Sequence, residues 1–567
     1  MRCWIDRDGT LEEWCSERTR NRLRRGVGGG QSMLHLRVPC RKWMGPLWVM
    51  LSALAGILAL LAACTVGPNY VRPTAEVPEA YKEIEGWKVA QPKDEVLREA
   101  WWEIFKDSHL NALEDQVNVS NQNLAVAEAQ FRQARALVQV ARAGYFPTIT
   151  IGATFTRSLT SSNVGGPTGS SSTAGTSSNP PSKTSSPSTT TGPISNYLLP
   201  ASASWEPDLW GRVRRLVESS AASAQASAAD LQLTRLLVQA ELAQNYFQLR
   251  ALDKQKQLLD ATVTAYQKFL ELTKNRYGSG VASKLDVLQA ETQLKTTQAQ
   301  AIDVGVQRAQ LEHAIALLVG RPASIFSIPI ASIEMVPPAI PVGVPSELLE
   351  RRPDIAAAER LMAAANAQIG VAIAAYYPNI TLTASGGFQA TDLAKWLTWP
   401  SRFWSVGAAI AETVFEGGLR RAQTAQARAA YDATVASYRQ TVLTGFQEVE
   451  DNLVALRILE EEDRVQDEAV KAAQESVRLA INQYKAGTLS QLNVIVDQTV
   501  ALNNEITAVG ILSRRATASV LLVKALGGGW NASALPSVDD ISGNDNKHQQ
   551  SSESKPTPAG RPSPDNP

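Results

Sequence analysis

The residue with the clearest reactive chemistry is Cys64, the last letter of the motif "LAAC". Arg41 and Lys42 precede the apolar run "PLWVMLSALAGILAL" that leads to this motif. The run is shorter than the roughly 20 residues that cross a bilayer, and its basic flank and small residues are typical of a cleaved secretion signal. We therefore predict a signal peptide over 1–63 and lipid attached to the thiol of Cys64. An uncleaved membrane anchor is the alternative.

The sequence around this cysteine supports the same processing. Residues 1–32 are rich in Arg and Gly and precede the signal, so translation is predicted to start near Met33. Thr65, rather than an Asp, follows Cys64, which favours delivery to the outer membrane over retention in the inner membrane. No disulfide framework is expected, because the other cysteines would leave with the leader: Cys3, Cys15 and Cys40.

The other chemically active side chains form no catalytic or metal-binding constellation. The chain shows no phosphate-binding loop or zinc spacing, and its histidines are scattered at His35, His109, His313 and His548. The acidic run at 458–468 could hold a cation, but a solvated helix surface is the favoured interpretation. Lys plus Arg total 55, as do Asp plus Glu, so no basic field points to nucleic acid. We predict a protein that is not an enzyme, with no cofactor and no metal.

Two segments change from helix to strand at an aromatic pair followed by proline. They are "GYFPTITIGATF" at 144–155 and "AYYPNITLTASGGF" at 375–388. Proline ends the helical pairing, and apolar residues then alternate with Thr and Ser as on the two faces of a strand. Second strands are predicted at 196–210 and 402–415.

These segments belong to an internal duplication. Apolar residues at 3,4 spacing precede both strands, over 124–141 and 355–372. Further along, "RYGSGVASKLDV" at 276–287 matches "QYKAGTLSQLNV" at 483–494. The first copy alone carries a Ser/Thr/Gly/Pro-rich insertion at 158–195, which is predicted to be a disordered loop.

Each copy therefore reads helix, strand, strand, long helix, Gly-containing turn, helix. The long helices are predicted over 212–277 and 418–484, each about 100 Å at 1.5 Å per residue, a length typical of a coiled-coil assembly. Four strands cannot close a membrane barrel, which needs about eight, so two or three chains must contribute.

The residues resemble the TolC-like outer membrane factors, particularly the lipid-anchored OprM-type and NodT-type members. The resemblance covers nearly all of 64–530 and is most specific in "CTVGPNYVRP", "WWEIFKDSHLNAL" and "LLERRPDIAAAERLMAAANAQIGVAIAAYYPNITL". The stretch "FEGGLRRAQ" at 415–423 supports it further. It implies a fold that is mainly α with a membrane β-barrel. Three chains would form a trimeric 12-stranded outer-membrane barrel, continued by a long periplasmic α-helical coiled-coil tunnel.

The resemblance also implies roles for individual residues. The junction between barrel and tunnel would lie at Tyr145, Phe146, Pro147, Tyr376, Tyr377 and Pro378. Turns that contact a periplasmic adaptor would include Gly280, Val281, Gly487 and Thr488, and Asp286 falls where family members carry an aperture carboxylate. Alternatively, the glycines only permit tight turns and Asp286 is a solvated acid. Leu489 and Asn493 stand where some members have Arg and Asp, which puts a second charged ring in doubt.

The implied function is that of the outer membrane exit duct of a tripartite efflux pump, which passively conducts small-molecule or drug substrates. The expected partners are two further copies in a homotrimer, a periplasmic adaptor (membrane fusion) protein, an inner-membrane pump of the RND type and outer-membrane lipid. A duct for type I polypeptide secretion is the closest alternative. A structural coiled-coil lipoprotein would explain the helices, but it has no use for two pairs of amphipathic strands.

The predicted organisation has six parts. They are the signal peptide at 1–63, a lipid-anchored tether and equatorial segment at 64–110, a first efflux repeat at 111–322, a linker at 323–347, a second repeat at 348–530 and a disordered C-terminal tail at 531–567.

Overall fold

A computed structural model describes residues 65–75, 77–83, 100–159, 193–331, 338, 340 and 345–541. All of them belong to the unit Ala62–Pro567, the second of two compact units in the chain. Cys64, the predicted signal peptide and residues 160–192 of the predicted loop lie outside the described residues. The described part is mostly helical.

The first copy combines two helices, three strands and a hairpin of long helices. Its elements are α1 (Ser108–Ser120), α2 (Gln122–Ala143), β1 (Thr148–Ile151), β2 (Thr154–Ser158), β3 (Ile194–Trp205), α3 (Arg212–Gly278) and α4 (Lys284–Leu318). Side chains cap the first two helices, because Asp107 accepts hydrogen bonds from the first turn of α1 and Asn121 accepts one from the backbone N–H of Leu124.

The second copy repeats this order. Its elements are α5 (Leu348–Arg351), α6 (Pro353–Ala374), β4 (Asn379–Ala390), β5 (Arg402–Ala411), α7 (Leu419–Ala486), α8 (Gln491–Ala525) and the short α9 (Val538–Ile541). Pro353 opens α6, where its missing N–H has no helical partner to lose. The long helices predicted over 212–277 and 418–484 are confirmed as α3 and α7, with 67 and 68 residues.

The strands form one antiparallel sheet in the order β1/β2, β3, β4, β5. A single strand was predicted within 144–155, whereas the structure has β1 and β2, which pair with β3 in one continuous register. Pro200 of β3 lies opposite the gap between them. The N–H of Gly152 donates to the Pro200 carbonyl at 3.1 Å, but proline has no N–H to return the bond. β1 and β2 therefore form one interrupted strand. We count them together as one strand path, so the sheet has four strand paths.

Equivalent contacts close both copies at the same place. The Asn121 amide donates to the carbonyl of Leu318 at 2.7 Å, and the Arg352 guanidinium donates to the carbonyl of Ala525 at 3.0 Å. We call these two hydrogen bonds the closure contacts. Each one ties the end of a helical hairpin to the residue that caps the start of α2 or α6 in the same copy. The hairpin ends thereby gain partners for carbonyl groups that a helix leaves unsatisfied.

The C-terminal segment differs from the disordered tail predicted over 531–567. Gln225 on α3 donates to the Pro536 carbonyl at 3.1 Å, and Ile541 in α9 is fully buried against α2 and α3. The prediction was wrong for 531–541, because it rested on composition, whereas Leu535 and Ile541 both pack against the helices. Residues 542–567 lie outside the described residues.

Glu114 is a buried carboxylic acid in α1 whose two oxygens have no hydrogen-bond partner among the described residues. Burial, and to a lesser degree the charge of Asp115, raises the pKa of Glu114 well above its ordinary value. The folded state therefore keeps a proton that the unfolded chain releases above about pH 4.3. Stability contributed by this proton is present at low pH and falls as pH rises toward the folded pKa.

We expect Glu114→Gln to melt near the wild-type temperature at pH 4 and at a higher temperature at pH 7, because the neutral amide has no proton to lose. Thermal melting of the detergent-purified protein across this range measures the effect. Asp115→Asn, which changes the flanking exposed acid, is the control and should shift the melting curve far less. Parallel pH profiles for wild type and Glu114→Gln would contradict the prediction.

Candidate functional site

The sheet has one apolar face and one face dominated by small polar residues. The apolar face includes Ile149, Ile151, Phe155, Ala201, Ala203, Trp205, Ile380, Leu382, Ala384, Trp404, Val406 and Ile410. The opposite face includes Thr148, Thr150, Thr154, Thr156, Ser202, Ser204, Thr381, Thr383, Ser385, Gln389 and Ser405. The apolar side chains are exposed, with Trp404 at 79% and Ile151 at 76%. Such a surface requires an apolar partner, and the small polar face suits water.

The dimensions of the sheet match a bilayer. Strand β4 has 12 residues. At about 3.3 Å per residue and a tilt of about 40°, such a strand covers roughly 30 Å along the membrane normal, close to the thickness of a hydrocarbon core. The outer edges of β1/β2 and of β5 have no strand partner among the described residues. In lipid those edges must pair, because unsatisfied backbone groups are costly there.

The predicted junction residues lie together where helices meet the sheet. Trp210 stacks on Tyr377 with ring centroids 5.0 Å apart, and its indole N–H donates to the Pro378 carbonyl at 2.8 Å. Within the first copy the indole N–H of Trp205 donates to the Tyr145 carbonyl at 2.9 Å. Phe146 and Tyr376 are exposed beside these contacts, and Pro147 and Pro378 precede the first strand of each copy. Aromatic side chains at this level are typical of a membrane interface.

Arg420, which the sequence reasoning did not single out, fixes the turn between β5 and α7. Its guanidinium forms ion pairs with Glu412 at 2.8 Å and Glu416 at 2.5 Å, and it lies over the ring of Tyr376. It also donates to the Ala375 carbonyl at 3.2 Å, so it ties the two junction segments of the second copy together. Glu416 precedes the helix, and its position four residues before Arg420 in the chain was the available sequence signal.

The first described residues after Cys64 are bound at the same junction. The N–H of Val66 donates to the Trp210 carbonyl at 3.3 Å, and the buried guanidinium of Arg215 donates to the carbonyls of Val66 and Gly67. A Cβ on Gly67 would lie 2.5 Å from the Cα of Gly370, so only glycine fits between the tether and α6. The chain that follows Cys64 is thus held beside the aromatic residues of the junction.

The other end of the helical hairpins carries the predicted turn residues. Gly280 and Gly487 both adopt φ of +80°, and a Cβ on either would meet nothing within 4 Å. Val281 is exposed, and the N–H of Thr488 donates to the Gln483 carbonyl at 3.0 Å. The turns therefore present an open, unobstructed surface at the tip of each hairpin.

Asp286 lies next to these turns and takes part in a capping box. Its carboxylate accepts from the N–H of Ser283 at 2.8 Å, and its own N–H donates to the Ser283 hydroxyl at 3.2 Å. Gln491 of the second copy donates to the Asp286 carbonyl at 2.7 Å, and Arg276 donates to the Tyr484 carbonyl at 2.6 Å. The two hairpin tips are thus joined, and Asp286 lies half-buried at their end.

The acidic run at 458–468 is more structured than a solvated surface. Glu462 pairs with Arg514 at 2.7 Å and Asp463 pairs with Arg515, so the run ties α7 to α8. Among the described residues no group of three or more His, Cys, Asp or Glu is arranged to hold a metal ion. By length and composition α8 could cross a membrane, but its apolar Val520 and Leu522 are fully buried, as in a core helix.

Comparisons with known proteins agree with this geometry. The model of the family "Outer membrane efflux protein" matches residues 113–321 and 344–528. The toluene efflux pump outer membrane protein TtgC of Pseudomonas putida is 31% identical over 484 residues, which cover 85% of this chain and 96% of that protein. The outer-membrane channel OprN aligns with a TM-score of 0.72 at 30% identity, over 82% of this chain and all of that chain.

A more distant structure shows the same fold. The CmeC outer membrane channel of Campylobacter jejuni aligns with a TM-score of 0.75 at 21% identity, over 86% of this chain and all of that chain. The two-faced sheet, the duplicated helical hairpins and the family match over both copies lead to one conclusion. The chain belongs to the outer membrane efflux protein family and is an outer membrane channel protein of an efflux pump.

Proposed function

We propose that three copies of the chain form the exit duct of a tripartite efflux pump. The observation that carries this proposal is the sheet, with an exposed apolar face, a small polar face without charge and two free edges. Pairing β5 of one protomer with β1/β2 of the next would satisfy the edges and close a barrel of twelve strand paths, four from each chain. The helical hairpins would continue this barrel as a tunnel.

The partners would meet the duct at its periplasmic end. The open turns at Gly280, Val281, Gly487 and Thr488 offer exposed backbone and small side chains to the helical hairpin of an adaptor. An inner-membrane pump of the RND type would deliver the substrate through this adaptor. The pump would set the choice of substrate, because the polar face has no charged side chain in the strands that the structure describes.

Loss of the gene tests the proposed function. Cells without it should accumulate a fluorescent efflux substrate such as ethidium, and the wild-type gene should restore export. A tagged chain crosslinked in cells should retain an adaptor and an inner-membrane transporter. Unchanged accumulation together with a monomeric mass in detergent would contradict the proposal.

The anchor gives a separate prediction for Cys64. The residues that follow it are bound at the junction, at the level where an acyl chain could enter the periplasmic leaflet. We expect the mature protein to begin at Cys64 with the mass of attached lipid, and Cys64→Ser to lose that mass while keeping part of its export activity, since the barrel also anchors the protein. Intact-protein mass spectrometry of the membrane fraction checks this, and an unmodified Cys64 would refute it.

We also propose that Asp286 lines the aperture of the duct. Three carboxylates, one from each chain, would attract cations over a distance that salt limits to about 10 Å at 0.1 M. The expected result is that Asp286→Asn lowers the preference for cations in planar-bilayer recordings while it still accepts the capping hydrogen bond. Ser283→Ala is the matched control, because it breaks the capping box and keeps the charge. Equal selectivity in wild type and Asp286→Asn would place the residue outside the aperture.

A further inference from the structure

The strands contain two charged side chains, Arg157 and Arg402, and both belong to the apolar face. Arg157 follows Phe155 by two residues, and Arg402 pairs directly with Phe388, so each shares its side of the sheet with aromatic residues. Both arginines stand at the loop end of the sheet, away from the helices, because Arg157 lies one residue before the end of β2 and Arg402 begins β5. Among the described strand residues, none on the polar face is charged.

Hydration of charged side chains alone would place both arginines on the polar face, whereas the sheet places them on the apolar face. An arginine on a lipid-facing position costs about 2–4 kcal/mol at the bilayer midplane and about 0–1 kcal/mol near an interface, whereas a water-facing position carries no such cost. Neither guanidinium has a carboxylate partner among the described residues. In the proposed barrel the two charges would stand at the headgroup level of the outer rim, where the described residues offer them no carboxylate.

The connection that precedes Arg402 adds exposed apolar side chains at the loop end of the sheet. The guanidinium of Arg402 lies 3.5 Å from the ring centroid of Trp399, which holds it in place as a cation–π pair. The connection between β4 and β5 is closed on itself, since Thr398 and Ser401 both donate to the carbonyl of Lys395. Leu397 and Trp399 of this loop are exposed, as is Trp404, which follows Arg402 by two residues on the same face of β5.

We propose that this rim binds the phosphate groups of a phosphorylated glycolipid of the outer leaflet. Arginine suits phosphate because its planar guanidinium donates two parallel hydrogen bonds, and the exposed aromatic and aliphatic side chains would cover the acyl chains. The inference rests on the proposed trimer, in which β5 of one protomer pairs with β2 of the next. Arg402 of one chain and Arg157 of its neighbour then lie on adjacent strands, and two cations match a lipid with two phosphates.

The test measures lipid binding to the purified protein. Bisphosphoryl lipid A is titrated onto wild type, Arg402→Gln, Arg157→Gln and Arg402→Lys in detergent, and bound lipid is counted by native mass spectrometry. We expect either glutamine variant to bind about tenfold more weakly, since a charge-assisted hydrogen bond is lost, and the lysine variant to recover part of the affinity. Lys395→Gln, a loop cation outside the strand face, is the matched control and should bind as wild type.

Further measurements distinguish between lipid classes, and between failure of the proposed lipid site and failure of the proposed trimer. Phosphatidylglycerol, a phosphate lipid without the sugar backbone, should bind more weakly than bisphosphoryl lipid A, and equal binding would overturn the assignment to a glycolipid. Unchanged affinity in both glutamine variants would overturn the site. The same samples report trimer mass and conductance, so a conducting trimer without selective lipid binding rejects the lipid site alone. A preparation that forms no trimer would overturn both proposals.

Discussion

Gly387→Ala is expected to lose most of the trimer that we propose for this chain. Gly387 lies directly opposite Pro200 in the register of β3 and β4. A Cβ at Gly387 would stand 1.9 Å from the carbonyl oxygen of Leu199, a backbone atom that cannot move without parting the two strands. Overpacking of this kind costs about 1–3 kcal/mol at each site, and three copies in one barrel would lower the trimer yield by more than about tenfold.

The neighbouring glycine supplies the control for this prediction. A Cβ on Gly386 would lie 3.4 Å from its nearest atom, the Phe403 carbonyl oxygen, which is ordinary contact. Gly386→Ala should therefore assemble and export as wild type. Light scattering of the detergent-purified protein gives the oligomeric mass, and trimer yields that are equal for the two variants would refute the register-based explanation.

Gly527→Ala is expected to destabilise the protein far more than Gly487→Ala. Both glycines end a long helix in the left-handed region, with φ of +92° and +80°. At Gly487 the added methyl group meets nothing, so only the backbone strain of roughly 1–2 kcal/mol remains. At Gly527 the Cβ would also lie 2.0 Å from the Arg351 carbonyl oxygen, which adds roughly 1–3 kcal/mol for displaced backbone.

The first copy offers an independent repeat of this comparison. Gly320 is the counterpart of Gly527, and its Cβ would lie 2.3 Å from the carbonyl oxygen of Ser120. Gly320→Ala should therefore resemble Gly527→Ala in melting temperature, and Gly280→Ala should resemble Gly487→Ala. If all four variants melted alike, the close contacts of Gly320 and Gly527 with the backbone beside the closure contacts would not contribute measurably to stability.

The helices and strands could be predicted because their signals are local. The changes at Pro147 and Pro378 from 3.6-residue to 2-residue periodicity mark the junction, and uninterrupted apolar spacing marks the long helices. The gap opposite Pro200 could not be placed, since its cause lies on a strand that follows after a long insertion. Local sequence pattern predicts that a strand forms, but the sequence of the partner strand determines where its hydrogen-bond ladder is interrupted.

The site was predictable to a lesser extent. The Ser283–Asp286 spacing is a capping-box signature, which indicates a structural role for the Asp286 carboxylate. The family resemblance had placed this carboxylate only at the aperture. Arg352 and Arg420 carried no comparable signal for most of their contacts, because Arg352 pairs with Glu448, 96 residues away, and Arg420 reaches across to Ala375. Long-range ion pairs become visible only once the chain is folded.

The matched helices constrain how the protein can change its reach during evolution. Helices α3 and α7 differ by one residue in length, and α4 and α8 both have 35 residues. An insertion in one of them would shift one hairpin tip by about 1.5 Å per residue and rotate its buried seam by about 100°. The two tips are bonded to each other, so a lone insertion would break that bond before it lengthened anything. In the proposed tunnel, a longer reach across the periplasm would need coordinated insertions of whole heptads in all four helices, so its length should change rarely and in large steps.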